Sequence, residues 1–209
     1  MKTVVKSPAP ACLAKAHSDG LNWDTFWHDR HDDYEAVREQ ALSDQKNECA
    51  YTGLWLGEGT TQQLHIDHYR RKGIFQELTF EWDNLFAAAK ELDYGSDYKD
   101  SKAKWEKKVA ISRYSEFWSP LDPAHDKAYW FRQDGNIEPH ESLSAQDKEM
   151  AQRTIDIFNL NAPDLKKKRE GLIKQLRELG AMTDEEVRMV FETSGFSFLV
   201  DFELKNRRP

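Results

Sequence analysis

The stretch LHIDHYRRKGIF, residues 64–75, sets His65, Asp67 and His68 within four positions and follows them with Arg70, Arg71 and Lys72. A carboxylate such as Asp67 can hold a hard cation through oxygen, and a neutral imidazole such as His68 can take a proton from water near neutral pH. Arginine can grip a phosphate through two parallel hydrogen bonds, and lysine acts on it as a point charge. A metal-dependent phosphodiesterase would use these groups in this order. Further along, Asn84 lies sixteen residues after His68 and Asp93 nine after Asn84.

These residues need elements to position them. AYTGLWL, the polar turn GEGT and TQQLHIDHY read as a β-hairpin, with the Asp-His pair at the end of its second strand. On a strand, His65 and Asp67 share one face, and His68 starts on the other. EWDNLFAAAKEL then reads as a short helical or irregular run behind Asp83 and Asn84 as caps. Residues 1 to about 20 read as an extended arm, with Pro8 and Pro10 opposing helix and Asp19-Gly20 as a turn. Helices are expected at 34–46, about 97–117, 144–158 and 163–179. Asn161 or its neighbours would cap the last of these, with Pro163 in its first turn. YWFRQ and NIEP, around Asp134-Gly135, read as a strand pair, and Thr183 with Glu186 forms a capping-box pattern before a final apolar run.

The Asp67-His68 pair, Asn84 and Asp93, together with KSPAPACLAKA, NECAYTG, HIDHYRRK, WDNLFAAA and NLNAPDLKKKRE, resemble the HNH nucleases of the PtuB-like family. These are the nuclease subunits of Septu and related retron-linked anti-phage systems. The resemblance implies an α+β fold, a small ββα-metal core embedded in a mostly helical domain. Residues 1–46 would form an arm and helix that dock a partner, 47–105 the nuclease core and 106–209 a mostly helical region packed on it. It implies that His68 is the general base, Asp67 the first metal ligand and Asn84 the residue that braces the loop and orients the histidine. Asp93 would be the second metal ligand, with Asp97, one turn later, as the fallback. The implied cofactor is Mg²⁺ or Mn²⁺. His65, Arg70, Arg71 and Lys72 would face the nucleic acid, except that for His65 the reading as a residue that only satisfies a strand neighbour is slightly favoured. The implied partners are a PtuA-like ATPase and, in the retron setting, a reverse transcriptase with its RNA-DNA product.

Many members of that family hold a structural zinc with two CxxC pairs. Here the first pair reads Cys49-Ala50-Tyr51-Thr52 and the second Ala89-Lys90-Glu91-Leu92, so no structural zinc is expected. Ala89 and Leu92 would fill that volume, with Cys49 as a buried thiol.

The bulk properties limit the alternatives. With 209 residues, 39% of them hydrophobic, the chain can bury a sizeable core. It lacks a membrane-length apolar run and the apolar segment of a secretory signal, which predicts a cytoplasmic protein. Cys12 and Cys49 are too few for a disulfide framework. The net charge of −7 argues against non-specific coating of nucleic acid, because phosphate affinity comes chiefly from Lys and Arg. Cations cluster at Arg70 to Lys72, Lys99 to Lys108, Lys166 to Arg169 and Lys205 to Arg208, and solvated helix faces account for most such runs. WHDRHDD places His28 and His31 on one face of an expected polar helix, with Trp23, Phe26 and Trp27 packing inward or docking. HExxH, GxSxG and a phosphate-cradling Gly-rich loop with Lys are all missing, which leaves protease, esterase and ATPase readings without support. The reading is therefore a metal-dependent endonuclease acting on DNA or RNA. The alternative is an HNH-like fold kept as a non-catalytic adaptor that docks on the ATPase.

Overall fold

The computed structural model describes residues 1–179 and 182–206. Helix α1 spans Ala11–Ser18, α2 Trp23–Asp29 and α3 His31–Asp44. Strand β1, Leu64–His68, pairs antiparallel with β2, Leu85–Ala89, and α4, Gly95–Lys102, and α5, Lys107–Arg113, follow. Strands β3, Tyr129–Phe131, and β4, Ile137–Pro139, form a second antiparallel pair. Helices α6, Ala145–Ile157, α7, Pro163–Glu178, α8, Asp184–Val190, and α9, Ser197–Asn206, complete the described chain. The fold is α+β, with helix dominant and two small antiparallel sheets. A continuous set of buried side chains runs from Met1 and Val4 through Phe86 to Leu204, so the stretches 1–46, 47–105 and 106–209 share a core. Among the described residues no helix is long and apolar enough to cross a membrane.

The expected hairpin around GEGT is corrected. Residues 50–53 close a tight turn in which Cys49 N donates to the Leu54 carbonyl at 2.8 Å, and a single bridge joins Glu48 to Trp55. Strand β1 pairs instead with β2, placing Asp67 opposite Phe86 and His68 opposite Leu85. The expected helical or irregular run at LFAAA is that partner strand. Leu and Ala favour helix in isolation, but all five residues of β2 are buried, and burial in tertiary contacts overrides propensity. The small side chains of Ala87 to Ala89 let α3 and α4 pack close to the strand.

Other boundaries differ for local reasons. The expected arm contains α1, because the two prolines end before Ala11 and ACLAKAH is made of good helix formers. The single helix expected at 97–117 is two. Ala103 leaves helical geometry, its carbonyl accepts from Arg71 Nη1 at 2.9 Å, and Trp105 turns its ring onto Tyr114. The helix expected from Tyr34 begins at His31. Arg30, at φ −124°, ψ 51°, separates it from α2, so His28 and His31 lie on different helices. Trp23 and Phe26 pack inward, while Trp27 is 48% exposed.

The C-terminal features encoded by neighbouring residues form as expected. Pro163 begins α7, whose Leu165, Leu172, Ile173 and Leu176 recur at helical spacing and are buried. Thr183 and Glu186 make both capping-box bonds. At the β3–β4 turn, Gly135 has φ +77°, and a Cβ there would lie 2.1 Å from the Lys166 carbonyl, so only glycine fits. Asn161 does not cap α7; its amide accepts from Ile137 N at 2.8 Å and donates to the Ile137 carbonyl at 2.9 Å, pinning β4. Two cations from the supposed solvated runs, Lys99 and Arg169, are fully buried. Arg207 and Arg208 lie outside the described residues.

Candidate functional site

The end of β1 carries Asp67 and His68 on a buried stretch of strand, and the long loop 69–84 returns to β2 over them. Asn84 braces this loop. Its Oδ1 accepts from Arg70 N at 2.7 Å, and its Nδ2 donates to the carbonyls of Arg70 at 3.0 Å and Leu78 at 3.1 Å. Three such bonds from one buried amide hold both ends of the loop, each contributing on the order of 1 kcal/mol.

His68 is 6% exposed, with Trp23 packed edge-on at 4.6 Å between ring centroids. Its Nε2 lies 3.0 Å from the Thr79 carbonyl. A carbonyl can only accept, so Nε2 carries the proton and Nδ1 presents a lone pair. Nδ1 has no hydrogen-bond partner among the described residues, and it is not among the buried atoms sealed without one. Burial lowers the imidazole pKa to about 4, outweighing the opposing pull of Asp67 and the Thr79 hydrogen bond, and the ring is neutral at pH 7.

Asp67 is buried beside it. Oδ2 accepts from the Tyr51 hydroxyl at 2.5 Å and from Lys99 Nζ at 3.1 Å, while Oδ1 has no partner among the described residues. Burial alone would raise this carboxyl, but the Lys99 ammonium and the Tyr51 hydrogen bond hold it below the usual carboxylate range. From one side chain, then, one oxygen is saturated and the other is left free.

The remaining candidates divide. His65, half-buried, is joined to the start of α4: its Nε2 lies 3.3 Å from Ser96 Oγ and 3.7 Å from Asp97 Oδ1. Burial raises the Asp97 carboxyl pKa, His65 opposes the shift, and the nearby charge of Asp67 adds to it. The structure thus brings His65 and Asp97 together, with Asp67 two residues from His65 on the same face of β1. Asp93 is exposed on the turn before α4, where its carbonyl accepts from Asn159 Nδ2 at 2.7 Å. Among the three cations, Arg70 is exposed and makes no ion pair among the described residues, its guanidinium 5.7 Å from the Phe75 ring centre. Arg71 is committed to the Ala103 carbonyl and to Asp100 at 3.4 Å, and Lys72 to Asp24 at 2.6 Å.

A hard divalent ion needs oxygen donors gathered around one point. Among the described residues no group of three or more His, Cys, Asp or Glu side chains is gathered as a metal cluster. The charge of Asp67 raises the Asp97 carboxyl pKa, so the two carboxylates feel each other. Mg²⁺ is commonly held by one or two carboxylates with water filling its octahedron. Asp67 and Asp97 are the carboxylates that would hold such an ion, with water filling most of its shell. At the positions where the family's zinc ligands would fall, Cys49 is buried and its Sγ accepts from Ala89 N at 3.4 Å. Leu92, expected to fill that volume, is instead 80% exposed.

Tyr51, Thr79, Trp23 and Lys99 shape the site and were not visible as candidates in the sequence. Each is distant along the chain from Asp67 and His68, and nothing in its local pattern marks it. No family model matches the chain, and neither does any curated protein.

Proposed function

We propose that the protein is a metal-dependent endonuclease of HNH type, hydrolysing phosphodiester bonds in DNA or RNA as the effector subunit of an anti-phage complex with a PtuA-like ATPase. The observation that carries this reading is the state of His68: neutral, locked in one tautomer by the Thr79 carbonyl, with Nδ1 unpartnered among the described residues, while its chain neighbour Asp67 keeps one carboxylate oxygen without a hydrogen bond among them. The sequence resemblance of HIDHYRRK and WDNLFAAA supports it.

In this mechanism His68 Nδ1 takes the proton of the attacking water as its oxygen bonds to phosphorus, the bond from phosphorus to O3′ breaks and O3′ takes a proton from solvent, which gives 5′-phosphate and 3′-hydroxyl ends. Asn84 keeps the loop, and with it the Thr79 carbonyl, in place against the imidazole. Arg70 holds a neighbouring phosphate without first giving up an ion pair among the described residues, whereas Lys72 must leave Asp24. Bound Mg²⁺ or Mn²⁺, held by Asp67 and Asp97, would supply Lewis-acid stabilisation of the charge that builds on the phosphate. In a retron setting the assembly would also include a reverse transcriptase and its RNA-DNA product.

One observation favours the alternative, a non-catalytic adaptor docking on the ATPase: Lys99 already neutralises Asp67 at Oδ2. The experiment that separates the two is incubation of the purified protein, alone and with the ATPase, with labelled DNA and structured RNA in Mg²⁺ or Mn²⁺. His68→Ala and an EDTA control are run beside it. Metal-dependent cutting lost in the variant supports the nuclease. Folded protein that binds the ATPase and cuts neither substrate supports the adaptor.

A further inference from the structure

Lys99, on α4, is 0% exposed, an uncommon setting for a residue that ordinarily reaches its amine to water. Its ammonium lies among four oxygens: Asp67 Oδ2 at 3.1 Å, the carbonyls of His68 at 3.1 Å and Tyr69 at 2.9 Å, and Asp100 Oδ1 at 3.1 Å. An ammonium has three N–H bonds, and the first three oxygens take them. Asp100 Oδ1 is left buried beside the charge with no hydrogen bond. The rings of Tyr51 and Tyr69, 5.6 and 5.9 Å from Nζ, close the remaining sides. Two carboxylates and two carbonyls around one point form a donor set suited to a cation, and here the chain supplies that cation itself.

The carbonyls gathered are those of His68 and of the residue after it, and the carboxylate is that of its neighbour Asp67. We propose that Lys99 is a positioning residue whose ammonium acts as a built-in cation, drawing Asp67 and the β1 end together so that His68 and the free Asp67 oxygen are held in register. Its catalytic consequence rests on the hydrolytic reading above; the cage itself does not. A lysine that only filled space could be replaced by any side chain of similar volume. One that supplies charge can be replaced only by another cation.

The test is thermal unfolding of the full chain and of Lys99→Ala and Lys99→Met, in propylammonium, potassium or tetramethylammonium chloride at equal ionic strength. Propylammonium restores the three carbons and the nitrogen that Lys99→Ala deletes. The expected result is a lowered melting temperature for Lys99→Ala that propylammonium or K⁺ raises and tetramethylammonium does not. Wild type and Lys99→Met, whose space is filled, should not respond. Equal destabilisation of both variants with no cation dependence would overturn the proposal. Should neither variant fold, Lys99→Met is combined with Asp67→Asn and Asp100→Asn, which removes the cation together with the carboxylates it gathers. Recovered folding then supports the proposal, and continued failure to fold overturns it. Cleavage by Lys99→Ala in Mg²⁺ should return with the same cations that restore its melting temperature. Wild type inert on every substrate would sink the hydrolytic reading alone, and the melting data would still decide the cage.

Discussion

His68 and His125 are both buried, both give Nε2–H to a backbone carbonyl and both have a depressed pKa, yet they differ in what their second nitrogen meets. His125 spends its second nitrogen: Nε2 donates to the Ser119 carbonyl at 2.9 Å, and Nδ1 accepts from the Tyr129 hydroxyl at 3.0 Å. Tyr129 also stacks against its ring, and Trp118 packs edge-on. His68 has the same donor arrangement but an Nδ1 without a partner among the described residues, with a carboxylate as its chain neighbour. Burial and a shifted pKa are therefore common to a structural histidine and a candidate base. The vacant lone pair distinguishes them.

The sharpest way to break this comparison is to remove each imidazole. Replacing His68 with Ala should lower cleavage by roughly 10²- to 10⁴-fold, the usual contribution of a positioned base. Replacing His125 with Ala should cost stability but leave the rate per folded molecule unchanged. Initial rates at matched folded fraction would show it, and equal losses would erase the distinction.

Acid sharpens the comparison next. Burial lowers the His125 pKa to about 3, so the unfolded chain binds this proton first as the pH falls. Its stabilising contribution is complete above about pH 6.5 and is lost as pH falls toward 3, by roughly 5 kcal/mol at about 1.4 kcal/mol per unit. Urea unfolding across that range should show a shallower pH slope in His125→Gln than in wild type, and an unchanged slope would mean that the ring is already charged when folded.

A smaller effect separates the support of the two sites. Asn84→Ala removes three hydrogen bonds from the loop over His68 and should cost about 3 kcal/mol by denaturant unfolding, with cleavage falling further than stability explains. An Asn84→Ala protein that melts normally and cuts normally would show the loop to be held without it. The smallest effect belongs to the cations. Arg70→Ala should weaken nucleic-acid binding and reduce its salt slope by about one, whereas Lys72→Ala should do less because Asp24 already occupies it. Salt titrations of binding would rank them, and the reverse order would place the phosphates on the other side of the loop.

Much of the fold was legible where neighbours along the chain decide it. The turn at Asp134-Gly135, Pro163 at the start of α7 and the Thr183–Glu186 capping box are local devices, and each forms as its residues predict. The partner of β1 was not legible, because LFAAA carries helical propensity and becomes a strand only when buried between β1 and the flanking helices. Nor was the break between α4 and α5, which depends on Arg71 taking the Ala103 carbonyl from a loop more than thirty residues away. The candidate site divides in the same way. Asp67, His68 and Asn84 stand out by type and spacing, while Asp97 is drawn toward His65 and Asp93 is left at the surface only by the path the chain takes into α4.

By itself, then, the sequence determined that a carboxylate and an imidazole would be chain neighbours, followed by three cations and, sixteen residues on, an asparagine. Tertiary structure alone decided which imidazole nitrogen keeps its lone pair, which Asp67 oxygen is spent on Tyr51 and Lys99, and that Arg70 is the unpaired cation of its run among the described residues. The physical reason is that hydrogen-bond partners and desolvation come from groups brought close by folding. Residue types state what a side chain can donate, accept or titrate, but only its packed surroundings settle which of these it does.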